Sequence, residues 1–281
     1  MSSATKSPYL IATTSLGYLQ GCEIVGLSVK VTRLPGIHHD GNVVILSGTL
    51  GHILVDAGTS WYQALQLERI KGQIGEQSLD RILLTSRRFP VSGGAKFLSQ
   101  SFGNVPIHIH EDGQAALETG DFFTTWANRF DSDMPATTTT TVVNKEVFAL
   151  GDGEIQALSM PGHCSDGMAY LIGHQKTLIA GTLLPRADRP TRWDLPSGSL
   201  LDLISSFEAI LRMQLNSIVP LQGPAIRGKA HVKDVLERHL HFFKQAAEQD
   251  GRTPVSWHRP APTALWHTPS SPWPLEEQET V

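Results

Sequence analysis

One stretch constrains this chain more than any other: Arg81-Ile82-Leu83-Leu84-Thr85-Ser86-Arg87-Arg88-Phe89-Pro90-Val91-Ser92-Gly93-Gly94. An apolar run that reads as a buried strand delivers a threonine. After seven more residues a Gly-Gly pair leads into a helical pattern. This is a strand-to-helix loop, and its contents do not suit a metal. Divalent cations such as zinc take His, Cys, Asp or Glu side chains, and Ser86 to Ser92 supply none. They supply two arginines, whose charge repels a cation.

The rest of the chain reads as two similar halves. Tyr9 to Val31 is strand material broken by a turn at Gly17 and Gly21. Asn42 to Ser47 and His52 to Asp56 form a hairpin about Gly48 and Gly51. Helical spacing follows over Trp61 to Ile74, then a buried strand at Ile82 to Thr85, a helix over Gly94 to Phe102 and a strand at Pro106 to His110. Thr137 to Thr141 reads as a loop or an edge strand. After the turn at Gly151-Asp152-Gly153 come strands at Ile155 to Met160, Met168 to Ile172 and Thr177 to Ala180. A helix over Leu200 to Met213, a short strand at Ser217 to Pro220 and a helix over His231 to Glu248 close the pattern. Strands with helices in both halves predict two facing sheets covered by helices. From residue 251 the composition changes, with six prolines and three tryptophans (Trp257, Trp266, Trp273) in Arg252 to Val281. Residues 1–250 are therefore read as the domain and 251–281 as a Pro/Trp-rich tail that packs on its own body or on a partner.

Composition narrows the function classes. With 281 residues and 40% apolar residues the chain can bury a sizeable core. A net charge of −4 gives no basic stripe for nucleic acid and no attraction to anionic membranes. No apolar run reaches the roughly 18 residues of a membrane span, and no signal peptide is evident. Two cysteines, Cys22 and Cys164, make no disulfide framework and fit a reducing compartment. A cytoplasmic location is expected.

Taken in order, the motifs resemble the metallo-β-lactamase superfamily, nearest to its lactonase, thioesterase and glyoxalase-like hydrolases. The resemblance runs from about Leu27 to Gln245. It is carried by Asn42-Val43-Val44-Ile45, Ile53-Leu54-Val55-Asp56-Ala57-Gly58, Leu83-Leu84-Thr85 with Gly93-Gly94, Met160-Pro161-Gly162-His163-Cys164-Ser165-Asp166-Gly167, Leu178-Ile179-Ala180-Gly181-Thr182-Leu183-Leu184 and Val219-Pro220-Leu221-Gln222-Gly223-Pro224. It implies an α/β fold, the four-layer αββα sandwich, and a structural or supporting role for Asp56. It also implies where metal ligands would stand. Histidines would occupy Ser86, Arg88 and Val91, an aspartate Pro90, a histidine His163, the bridging aspartate Thr182 and the last histidine Gln222. One of these seven positions, His163, keeps its ligand. Since a catalytic zinc needs about three protein ligands, zinc is not expected and the metal ligand set is empty. Without the ion there is no bound water of lowered pKa to act as nucleophile.

Candidate ligand-binding residues are Arg87, Arg88, His163, Thr182 and Gln222. A fixed guanidinium is suited to a carboxylate or phosphate, or else to a local salt bridge. Cys164, His163 and Asp166 are weak candidates for a remnant catalytic group, because sequence neighbours rarely meet in nucleophile–base geometry. His108-x-His110-Glu111-Asp112 looks like a metal motif, but it falls on a family strand whose histidine is not a ligand. His38-His39-Asp40 reads as a solvated loop, and His239 and His241 as surface residues. The expected function is a pseudoenzyme, a non-catalytic binding or scaffold protein with an anion-accepting pocket. Its expected partners are an anionic small molecule and a second copy or an active paralogue. The alternative is an altered hydrolase of an ester, thioester or lactone, with Cys164, Ser86 or Ser92 as nucleophile.

Overall fold

Alternation along the strands sorts apolar side chains onto two faces, and that sorting builds the layers. The computed structural model describes residues 28–251. In β2 (Val43–Gly48), Val43 and Ile45 join one apolar cluster while Val44 and Leu46 join another. β3 (Gly51–Val55) divides Leu54 from Ile53 and Val55 in the same way. So does β4 (Arg81–Leu83), with Ile82 on one face and Leu83 on the other. With β1 (Lys30–Leu34), β5 (Ile107–His110) and β6 (Thr140–Val142) they form a sheet of order β1-β2-β3-β4-β5-β6. Pairings are antiparallel as far as β3 and parallel beyond it.

The second sheet holds β7 (Val147–Ala149), β8 (Glu154–Ser159), β9 (Met168–Ile172), β10 (Thr177–Gly181), β11 (Ser217–Pro220) and β12 (Ile226–Arg227). Its order is β12-β11-β10-β9-β8-β7, and only β10–β11 is parallel. Leu46, Ile53 and Leu83 from the first sheet meet Phe148, Ile155, Tyr170 and Ile179 from the second, which makes the central layer of the core. Helices α1 (Gln63–Ile74), α3 (Ala95–Ser101) and α4 (Glu111–Thr119) cover the outside of the first sheet through Ile70, Leu98 and Leu117. Helices α5 (Leu200–Arg212) and α6 (Lys229–Glu248) cover the second through Leu203, Phe207, Val235 and Phe243. The result is the αββα sandwich.

Several elements differ from the sequence reading. The helix after the loop starts early, as a four-residue turn α2 (Phe89–Ser92) before α3. Pro90 is accommodated because the first turn of a helix needs no N–H from it. Helix α4 was hidden by the metal-like His-Glu-Asp run. Its start is marked by the His110 ring, which accepts from the Asp112 N–H, and its end by Gly120 in the left-handed region. Thr140–Val142 is an edge strand, paired only to β5. His239 is not a surface residue. It is fully buried in α6, its ring stacked on Phe207 at 5.7 Å and one nitrogen 3.1 Å from the Ala187 carbonyl. Asp40 likewise leaves the solvent and accepts from the N–H and Oγ of Thr59. The strand read between Tyr9 and Leu27, Cys22 and the tail after Gly251 lie outside the described residues.

At one end of the sandwich the strand termini converge. Asp56 ends β3 in a left-handed conformation and binds the Thr85 N–H and Oγ at the end of β4. The Met168 N–H crosses to the Thr85 carbonyl at 2.8 Å, and the Tyr170 hydroxyl donates to the Leu84 carbonyl. Gly181, at φ 49°, packs so closely that a β-carbon would lie 2.2 Å from the Thr85 side chain. The two sheets are thus joined at the ends of interior strands, where the loops begin.

Burial lowers the His239 pKa to about 4. Below the unfolded value near 6.5, the unfolded chain takes a proton that the folded one refuses. Stability therefore falls as pH drops from about 6.5 towards 4, by up to about 3 kcal/mol from this group. Urea unfolding of the wild type and His239→Phe across that range should show a steeper acid loss in the wild type. Parallel curves would remove His239 from the account.

Candidate functional site

The loop after β4 turns inward, so the side chains that follow Thr85 enter the gap between the two halves of the sandwich. Arg87 is buried (6% exposed) and reaches across to Asp166 in the second half. Its backbone N–H donates to Asp166 Oδ2 at 2.6 Å, and its Nη1 lies 3.1 Å from Oδ1. Nη1 also donates to the Asp112 carbonyl at 2.9 Å, and Nη2 to Ser197 Oγ at 2.6 Å. Arg88 is buried more deeply (1% exposed). Its Nη1 and Nη2 donate to the carbonyls of Thr124 and Pro196, at 2.7 and 2.9 Å. Trp126 covers it, with the guanidinium carbon 5.6 Å from the ring centroid. Arg192 and Arg129 approach the same ring at 5.5 and 5.8 Å, a cation–π cluster.

His163 faces Arg88 across a cavity of about 10 Å³ that Pro90, Trp126 and Phe130 complete. Burial, and then the positive charge of Arg88, push the His163 pKa well down, so the ring is neutral at pH 7. Its Nδ1 lies 3.1 Å from both the Arg192 carbonyl and Thr191 Oγ. Thr191 in turn donates to the Thr182 carbonyl, so Thr182 is linked to His163 through one hydroxyl. Gln222 Nε2 donates to the Asp40 carbonyl at 3.3 Å, and its N–H donates to the Pro185 carbonyl at 2.9 Å. Of the expected ligand-binding residues, the fold gathers Arg87, Arg88, His163 and Thr182.

Cys164 is fully buried, and burial, then Asp166, push its thiol pKa up to about 12. It is a thiol at neutral pH, and the thiolate is the reactive form. Both Asp166 oxygens face Arg87. Ser86 accepts from the Arg88 N–H, and Ser92 donates to the Arg87 and Arg88 carbonyls, so both hydroxyls serve the loop. His108 and His110 do not pair: His108 packs edge-on against Phe148, while His110 caps α4.

Pro90 forms the turn and Val91 packs on Leu221. Arg88 brings a cation into the site. Among the described residues no three His, Cys, Asp or Glu side chains come together to hold an ion. The residues present do not fit a zinc or di-metal centre. Residues absent from the sequence reading also build the site: Trp126 and the strap of residues 185–199, with Thr191, Pro196 and Ser197. That strap has no periodic pattern, so no signal pointed to it.

The fold and the order of the motifs define a family. The metallo-beta-lactamase superfamily model matches residues 36–223, and the chain belongs to that superfamily. A probable metallo-hydrolase of Methanocaldococcus jannaschii is 24% identical over 190 residues, 65% of this chain and 85% of the relative. The crystal structure of a metallo-beta-lactamase family protein from Thermus thermophilus superposes with a TM-score of 0.63 at 17% identity, covering 78% of this chain and 81% of that one. The subclass B3 metallo-beta-lactamase of Bradyrhizobium japonicum gives 0.63 at 17%, covering 80% and 93%. At these identities the structural likeness speaks for the fold alone.

Arg87→Met leaves Asp166 as a buried carboxylate without its cation, at an expected cost of about 3–5 kcal/mol. Arg87→Met combined with Asp166→Leu should recover part of that loss. Chemical denaturation of the single and double variants measures it. A double variant no more stable than the single would show that the pair does not govern stability.

Proposed function

We propose that this chain is a non-catalytic, metal-free member of its superfamily, a binding or scaffold protein rather than a hydrolase. The observation that carries the reading is the pair of buried arginines standing in the former ligand loop, hydrogen-bonded to carbonyls and to Asp166. They supply positive charge at the place where family members hold a metal. They cannot supply what the metal does to water, because a guanidinium does not lower a bound water's pKa by coordination. The cavity beside Arg88, about 10 Å³, has room for about one water and not for an ester or lactone. Accepting an anion fits the same charge, provided that the anion reaches Arg87 from the rim. A second copy or an active paralogue is the partner that a scaffold role calls for.

The relative's designation as a probable metallo-hydrolase suggests hydrolysis as the competing function. It lacks a nucleophile here: Cys164 stays protonated, and Ser86 and Ser92 hold the loop.

The test is metal content by elemental mass spectrometry after incubation with zinc, manganese and iron and desalting. It is paired with ester, thioester and lactone assays on the same samples. The expected result is a metal-to-protein ratio near zero and no turnover above buffer. Stoichiometric metal together with turnover would overturn the proposal.

A further inference from the structure

Two donors at the rim of the closed pocket converge on one neutral oxygen. Arg87 Nη2 donates to Ser197 Oγ at 2.6 Å, and the Ser165 N–H approaches the same oxygen at 3.2 Å. The guanidinium is buried, but Ser197 is exposed, so this arm of a buried cation is reachable from solvent through a single serine. A hydroxyl is a weak acceptor for such a pair; an anionic oxygen is a strong one.

The local charge favours the same exchange. Two buried guanidiniums, Arg87 and Arg88, share one buried carboxylate, Asp166. Arg88 is met by carbonyl oxygens, which solvate its charge without cancelling it. Asp121 also bears on Arg87 through space, but its oxygens are taken by Thr124 Oγ and by the N–H groups of Phe123 and Thr124. Asp112 offers Arg87 its backbone carbonyl. The serine is also held at some cost, since Ser197 sits at φ 64°, the left-handed region that non-glycine residues avoid.

We infer that this rim is a receptor for an anionic oxygen group of the phosphate class, which takes the place of the Ser197 hydroxyl on Arg87 Nη2 and the Ser165 N–H. One guanidinium arm and one amide offer two adjacent donors, a match for two oxygens of a single phosphoryl group. Displacing Ser197 frees one of the contacts that hold the strap of residues 185–199 over Arg88. The inference rests on the metal-free reading, since a bound metal would itself attract phosphate.

The experiment titrates inorganic phosphate into the full-length ¹⁵N-labelled protein at constant ionic strength, with and without a chelator, following the Ser165 amide. Saturable movement of that resonance is expected, unaffected by chelator. Ser197→Ala, a change at an exposed position, removes the competing hydroxyl and should tighten binding about tenfold. Arg87→Met with Asp166→Leu should abolish it. No saturable movement in either the wild type or Ser197→Ala would overturn the rim site while leaving the metal-free reading intact. Binding that vanishes with chelator would instead overturn the metal-free reading and this inference with it.

Discussion

The buried pair of Arg87 and Asp166 is the contact on which the site depends. It joins the loop after β4 in the first half to the loop before β9 in the second, through a charge contact and a backbone hydrogen bond. Taking two ions out of water costs several kcal/mol each, and attraction repays this only with good geometry and satisfied neighbours. Here Asp112, Ser197 and, for Arg88, Thr124 and Pro196 take up the Nη donors, while Arg87 Nε, Arg88 Nε and Asp166 Oδ1 are left without a hydrogen bond. Where a metal would tie the halves through side chains converging on one centre, this chain ties them with guanidinium forks that reach outward. The cross-link between the halves is present while, among the described residues, the metal-ligand cluster is not.

That pairing also sets the electrostatics of the groups around it. A neutral His163, a protonated Cys164 and an Asp166 paired with Arg87 lie close together in sequence and space. The histidine and the thiol are both shifted away from proton transfer near neutral pH. The shifts have one common source: burial under the strap and Trp126, which strengthens every charge beneath it and penalises every new one.

Much of the fold was legible because it rests on period-two patterns and on glycines that only one backbone shape explains. The hairpin Val43–Gly48 and Gly51–Val55, the strands of the second sheet and the two long C-terminal helices all announce themselves this way. The losses at Ser86, Arg88, Pro90, Val91, Thr182 and Gln222 were legible as absences from a known frame. What Arg87 and Arg88 do instead was not, because their partners are backbone carbonyls. A carbonyl belongs to every residue and leaves no trace in side-chain identity. Thr124 and Pro196 lie 36 and 108 positions from Arg88. His239 misled for a different reason: on an amphipathic helix a histidine reads as polar, and only its stacking on Phe207 shows that it fills a core position.

The seat of Arg88 also bears on the direction in which such a protein can change. Returning a histidine to position 88 would leave the carbonyls of Thr124 and Pro196 without their donors. It would open a guanidinium-sized void and take one cation from the face of Trp126. That step brings the chain to two of the ligands a metal needs, so no ion binds to offset the damage. Each further ligand restored alone meets the same difficulty at its own position, with Val91 packed on Leu221 and Pro90 shaping the turn. Gaining a metal site from this sequence therefore requires several changes together. The seat of Arg88 thus acts as a stability barrier between this chain and a metal-binding one.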